Sequence, residues 1–243
     1  MATLRKKRVS NDPPQHTPLI GRTGRAHDGN ALAYNVAPAR DLRPWVGWFA
    51  ATHAEKPDNE VLEGGILGDH AAIRVCHGGT WTALTADGPR VFAPGEKGMA
   101  LYFGPQSKVM RTSVDGSFKV ISIYLGVGGA QALGAPAQSE IVDRVMDFDE
   151  LMGRGHFASL FDFAAPPQVW YDTFARDFGR YFQEVTPPRP DRIALEFETC
   201  TLADPDFTLQ DFAEANDVSI RTVERVVRKA YGLTPKQVMR RAR

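Results

Sequence analysis

Cysteine is scarce: Cys76 and Cys200 are the two in 243 residues. They stand far apart and outside any metal-ligand spacing. That excludes a disulfide scaffold and a cysteine-based zinc module, and two reduced thiols in a cytoplasmic protein are expected. Long apolar runs are missing as well. No stretch approaches the ~20 residues that cross a bilayer. The basic start from Arg5 to Arg8 lacks the apolar region of a secretory signal, so no membrane partner is expected. Histidine numbers six. The best catalytic set that can be assembled, Glu63, Asp69, His70 and His77, is scattered over an expected loop and strand. Surface and core roles account for those residues better than catalysis does.

Net charge is the last absence, with 29 basic residues against 29 acidic ones. The balance hides an asymmetry. From Ile220 to Arg243 eight basic side chains stand against Glu224 alone, a net of +7 in 24 residues. A neutral chain with one strongly basic end points to a polyanion partner at that end.

Residues 1–40, with Pro13-Pro14, scattered glycine and no periodicity, read as a flexible tail. Residues 41–130 change to short β-type runs, with strands expected at Trp45–Thr52, Ala72–Cys76, Thr80–Leu84, Lys97–Phe103 and Phe118–Leu125. Turn signals at Gly64-Gly65, Gly78-Gly79, Asp87-Gly88-Pro89, Pro94-Gly95 and Asp115-Gly116 separate them, which argues a β-sandwich or barrel. Residues 131–203 read as a helical connector. Ser139–Met152 offers Ile141, Val145, Phe148 and Leu151 at helical spacing. In Trp170–Val185, Trp170, Phe174, Phe178, Tyr181, Phe182 and Val185 recur at steps of three and four, a stripe expected to pack on its own domain. Asp191–Cys200 reads as a further short helix. The fold class is therefore α+β.

Residues 204–243 carry the functional signal. Thr208 can cap a first helix, with Asp211 three residues on, as in a capping box. Asn216-Asp217 is a turn, and Ser219 caps a second helix over Ile220–Tyr231. That helix divides cleanly: Val223, Val226, Val227 and Ala230 share one face, and Arg221, Glu224, Arg225 and Arg228 the other. Gly232 suits the left-handed position after a helix, and Thr234-Pro235 with Gln237 starts a third. Two helices joined by so tight a turn form a helix-turn-helix, whose second helix reads base edges in the major groove. Arginine can pair bidentately with guanine and glutamate can accept from the cytosine amino group, so Arg221, Glu224 and Arg225 are the base-reading candidates. Ser219, Thr222, Arg228, Lys229, Lys236, Arg240 and Arg241 are suited to phosphates.

The pattern of Thr208, Leu209, Phe212, Ala213, Val218 and Ser219, then Arg221, Thr222, Val223 and Arg225, then Gly232, Leu233, Thr234, Pro235, Lys236 and Arg243, resembles the first helix-turn-helix of AraC-type transcription regulators. Upstream, Leu42 to Val46, the Pro94-Gly95 turn and Gly116 to Val120 resemble the cupin-like β-domain often found before such a module. Val142 to Val145 with Asp147 and Leu151 is similar to the helical segment that follows it. The resemblance implies a first domain that senses a ligand or mediates dimerisation, and a recognition helix bearing Arg221, Glu224 and Arg225. The family carries two such units joined by a long helix, and this chain stops at Arg243 within the expected linker, so either a truncated protein, the favoured expectation, or one that has lost its second unit is expected. Metal-binding cupins place two histidines one residue apart. Here His70 and His77 are seven apart and Phe103–Phe118 has none, so neither metal nor cofactor is expected.

The expectation is a non-enzymatic bacterial regulator in the cytoplasm, at the nucleoid. Double-stranded DNA is its main partner; a small-molecule effector, RNA polymerase and a second copy in a homodimer are the others. Trp45, Trp48, Trp81, Tyr102 and Phe103 are the candidate effector pocket. The alternatives are a cupin-type enzyme or small-molecule-binding protein, and an anti-regulator that dimerises but holds DNA weakly.

Overall fold

The computed structural model describes residues 19–20, 33–55, 60–153, 155–204 and 206–242. Most of the expected tail, including Arg5 to Arg8 and Pro13-Pro14, lies outside the described residues, as does Arg243.

The strands are β1 (Leu19–Ile20), β2 (Ala33–Val36), β3 (Val46–Ala54), β4 (Val61–Ile66), β5 (Ala72–His77), β6 (Thr80–Thr85), β7 (Gly88–Phe92), β8 (Met99–Phe103), β9 (Met110–Asp115), β10 (Phe118–Leu125) and β11 (Val145–Asp147). They form two antiparallel sheets, ordered β1-β2-β3-β10-β5-β8-β11 and β4-β9-β6-β7. Among the described residues the sheet edges do not join, so the expected barrel-or-sandwich is a sandwich and no barrel closes. The sheets face each other across Cys76, Leu101, Phe103, Phe118 and Val120 on one side and Trp81, Ala83, Phe92, Met110 and Val114 on the other. Central β10 is buried on both faces, which is why Phe118–Leu125 reads as an almost unbroken apolar run.

The helices are α1 (Gly129–Ala132), α2 (Phe148–Met152), α3 (Pro167–Val185), α4 (Arg192–Ala203), α5 (Leu209–Ala215), α6 (Ile220–Tyr231) and α7 (Pro235–Ala242). Pro167 opens α3 at the first-turn position where its missing N–H costs nothing. Trp170, Phe174, Phe178 and Phe182 pack on the outer face of the large sheet, with Phe49, Ile73, Ile121 and Ile123. The aromatic stripe thus packs on its own domain. Val185, by contrast, is exposed.

Four expectations need correction. The helix expected over Ser139–Met152 is a 3-10 turn (Gln138–Glu140), strand β11 and the short α2. Asp143 there takes φ 57° while its carboxylate accepts from the Ser107 backbone N–H at 2.8 Å, and β11 pairs with β8, so long-range pairing overrides the local helical spacing. The connector is correspondingly not all helical. Residues 33–36, assigned to the tail, form β2 and pair with β3. Gly64-Gly65, read as a turn, lies mid-strand in β4. A Cβ on Gly65 would stand 2.6 Å from Val109 Cγ1, so a close approach rather than a turn requires that glycine.

Helices α4 to α7 share a second core of Phe197, Phe212, Val223, Val227, Tyr231 and Val238, into which Val127 of the chain leaving the sandwich also packs. Among the described residues no helix is long and apolar enough to cross a membrane.

Candidate nucleic-acid interface

Thr208 caps α5 by accepting the Asp211 backbone N–H at 3.1 Å. The helix ends in paired bonds: Val218 N–H donates to Ala213 O at 3.0 Å and Asp217 N–H to Glu214 O at 3.2 Å. Asp217 sits between them in the left-handed region at φ 52°. This is a Schellman cap with aspartate in place of the usual glycine, and it reverses the chain within four residues. Ser219 then caps α6, accepting the Thr222 N–H at 3.1 Å. Thr222 itself is half-buried, its hydroxyl 2.9 Å from that of Ser219.

The two faces of α6 separate as expected. Val223, Val226, Val227 and Ala230 are buried, and Arg221, Glu224, Arg225, Arg228 and Lys229 are exposed. Gly232 closes the helix at φ 70°. Thr234 and Gln237 form a reciprocal capping box at the start of α7, with Gln237 N–H on Thr234 Oγ1 at 3.3 Å and Thr234 N–H on Gln237 Oε1 at 2.9 Å. Lys236 and Arg240 are exposed. Six cationic side chains and one carboxylate, on α6 and α7, therefore face outward from one rigid unit.

Arg241 departs from the phosphate-contacting set. Its side chain turns inward, bonding the Gly68 carbonyl at 3.2 Å, the Asp69 carboxylate and the Gln106 carbonyl. Sequence reasoning also missed Tyr231, which is 1% exposed and packs its ring on His70. Burial, together with the charges of Glu198 and Asp69, pushes its hydroxyl pKa well above the usual range. The signal was present: Tyr231 continues the Val223, Val227 face one turn further.

The expected effector residues are not brought together. Trp45 packs on Phe182, Trp81 meets Phe118 edge-on in the inter-sheet core, and Tyr102 is buried against Gln138. Phe103 lies beneath Arg74, and Trp48 stacks on Tyr124. None of the five lines the cleft of about 380 Å³ formed by His77, Glu96, Lys97, Lys119, Phe161 and Phe163 with their neighbours, whose formal charges cancel. The scattered acid and histidine set is equally dispersed. Glu63 is exposed on β4, Asp69 pairs with Arg241, His70 with Glu198 at 2.9 Å, and His77 stacks on Phe163. Among the described residues no group of three or more His, Cys, Asp or Glu side chains could hold a metal ion.

The architecture is a two-sheet antiparallel β-domain followed by a helical unit with a helix-turn-helix. No family model matches the chain, and no curated protein matches it by sequence. Solved structures similar to it include an apo ToxT variant from Vibrio cholerae, at 11% identity and TM-score 0.43, covering 80% of this chain and 79% of that one. The AraC-like transcriptional activator CuxR aligns at 12% identity and TM-score 0.29 over 86% and 84%. A cadmium-bound PhpD complexed with hydroethylphosphonate aligns at 15% identity and TM-score 0.29, over 87% of this chain and 48% of the other.

Proposed function

We propose that the chain is a sequence-specific DNA-binding transcription regulator of the AraC type, with α6 as its recognition helix and a cupin-like β-domain that senses a ligand or partner. One observation carries this reading. A capped α6 buries Val223, Val226 and Val227 while holding Arg221, Glu224 and Arg225 outward on its opposite face. An α-helix fits the major groove, where arginine reads the two acceptors of guanine and glutamate accepts from cytosine. Arg228, Lys229, Lys236 and Arg240 flank that face and reach phosphates, which fix register without specifying sequence. Ser219 and Thr222 place their hydroxyls at the helix start, toward the same backbone. A homodimer and a contact with RNA polymerase belong to this reading through the family resemblance.

The test is binding of the chain to genomic DNA fragments across a salt series. Each neutralised phosphate releases counterions, so affinity should fall steeply as salt rises, with a log–log slope of about −0.9 per phosphate contacted. A folded sample that binds no DNA at low salt would overturn the reading.

A further inference from the structure

Three features coincide on the inner face of the large sheet. By strand alternation Arg74 lies on the face of β5 that Cys76 turns into the inter-sheet core. Its guanidinium carbon stands 5.0 Å above the centre of the Phe103 ring. Nη2 donates to the Tyr124 hydroxyl at 3.4 Å, and Nε is buried and meets no acceptor among the described residues. Nor does any carboxylate of the described residues pair with this group. Tyr124 in turn lies flat on Trp48, with ring centroids 3.8 Å apart and planes within 1°. Trp48 is 41% exposed, so the outer end of this aromatic pair reaches solvent. Leu62 shares its strand face with Ile66, which packs on the inter-sheet core, yet Leu62 is 45% exposed.

Arg74 is half-buried, so its charge is only partly solvated and has no counter-ion among the described residues, and an incoming anion gains by pairing with it. With Nε covered, the pair of donors left to a carboxylate is Nη1 and Nη2 at the outer end of the guanidinium, which can engage it with two parallel bonds. One guanidinium edge in apolar surroundings suits a single negative charge, where a phosphate would need further donors. We infer that Arg74 anchors a ligand site for a small planar carboxylate, an acid on a flat apolar body lying along the Trp48–Tyr124 pair. The inference deepens the reading of the β-domain as a sensor and rests on it. The site differs from the pocket expected from sequence: it keeps Trp48 and Phe103 and adds Arg74 and Tyr124, none of which lines the His77–Lys119 cleft.

The experiment is titration calorimetry of the full chain with phenylacetate and indole-3-acetate, each against its own amide, in the absence of DNA. At least one acid should bind about tenfold or more tightly than its amide, since the amide cannot accept both bonds with charge. Arg74→Gln should erase that difference with the fold retained by thermal unfolding. Trp48→Leu should weaken acid and amide alike. If the glutamine variant does not fold, Arg74→Lys is read in its place: it keeps the charge, loses the paired donors and should weaken the acid severalfold while leaving the amide unchanged. Equal binding of acid and amide, no binding by either acid at millimolar concentration, or an acid preference that survives loss of Arg74 overturns the inference. Because no DNA is present, such a result leaves the salt-dependent DNA binding to be judged separately.

Discussion

Arg241, in the last turn of α7, pairs with Asp69, in the loop before β5, across the boundary between the helical unit and the sandwich. The Arg241 side chain is 13% exposed, and two backbone carbonyls of the sandwich, at Gly68 and Gln106, complete its coordination. A cation from the basic end of the chain is thus neutralised internally.

Removing that carboxylate sets stability against DNA affinity. Asp69→Ala should cost about 1–3 kcal/mol of stability, because the buried guanidinium loses its counter-ion. The same change should raise DNA affinity at low salt and steepen the salt slope by about one phosphate contact. Urea unfolding and a DNA-binding salt series check both. An unchanged slope would mean that Arg241 never reaches DNA.

Arg225 separates base reading from phosphate contact. On the proposed geometry Arg225→Ala should cost about 1–3 kcal/mol at one base position and relax the preference there. Binding to a set of single-base variants of a selected site measures it. A uniform loss across all of them would assign Arg225 to the backbone of the DNA instead.

Tyr231 tests whether a buried hydroxyl matters. Its oxygen is buried without a hydrogen-bond partner among the described residues, while its ring fills the second core. Tyr231→Phe should therefore leave stability unchanged or raise it by up to about 1 kcal/mol, and Tyr231→Ala should cost about 3–5 kcal/mol. A large loss in the phenylalanine variant, seen by thermal unfolding, would reveal a partner for the hydroxyl.

Alkaline pH should destabilise the fold in a defined window. Burial pushes the Cys76 thiol from 9.0 up to about 12, with Arg74 opposing in part. Below pH 9 the thiol is protonated in both states and its contribution is complete. Between about pH 9 and 12 only the unfolded chain ionises, so stability falls, by at most about 1.4 kcal/mol per pH unit for one proton. Tyr102, Tyr171 and Tyr231 are also raised by burial and add the same sign above pH 10. Denaturant unfolding at stepped pH checks this, and Cys76→Ala should flatten the first part of the decline.

What could be read in the sequence was what is decided locally. The caps at Thr208, Ser219 and Thr234, the turn at Asn216-Asp217 and the two faces of α6 depend on neighbours within a few residues, and all are found. The strands β4, β9 and β11 were missed or misassigned because pairing over long separations decides them, whereas β7 is the second arm of a tight hairpin with β6 whose glycine and proline read as turn alone. Val145 to Asp147 keep helical spacing in sequence but pair with Leu101 to Phe103. Arg241 looked like its neighbour Arg240, and only the position of Asp69 tells them apart. Arg74 did leave a trace. Within the expected strand Ala72–Cys76, alternation puts this one charged residue on the face of Ala72 and Cys76, where it is half-buried between two buried neighbours.

Gly232 bears on how the helical unit is aimed. A Cβ there would stand 2.5 Å from the Gln138 carbonyl oxygen, so the end of α6 is pressed against the turn that leads into β11. Lys229 O, one turn back, accepts from the Gln131 side chain at 3.2 Å. Because α6 is packed along its length in the second core, it can tilt about this pivot only together with the helical unit, with Arg221 and Arg225 toward the far end of its arm. Twelve residues give that arm ~18 Å at 1.5 Å per residue. A tilt of ~10° at the pivot carries its tip ~3 Å, close to the ~3.4 Å spacing of adjacent base pairs. If α6 reads bases as proposed, a tilt of that size would move its side chains by about one step along the groove.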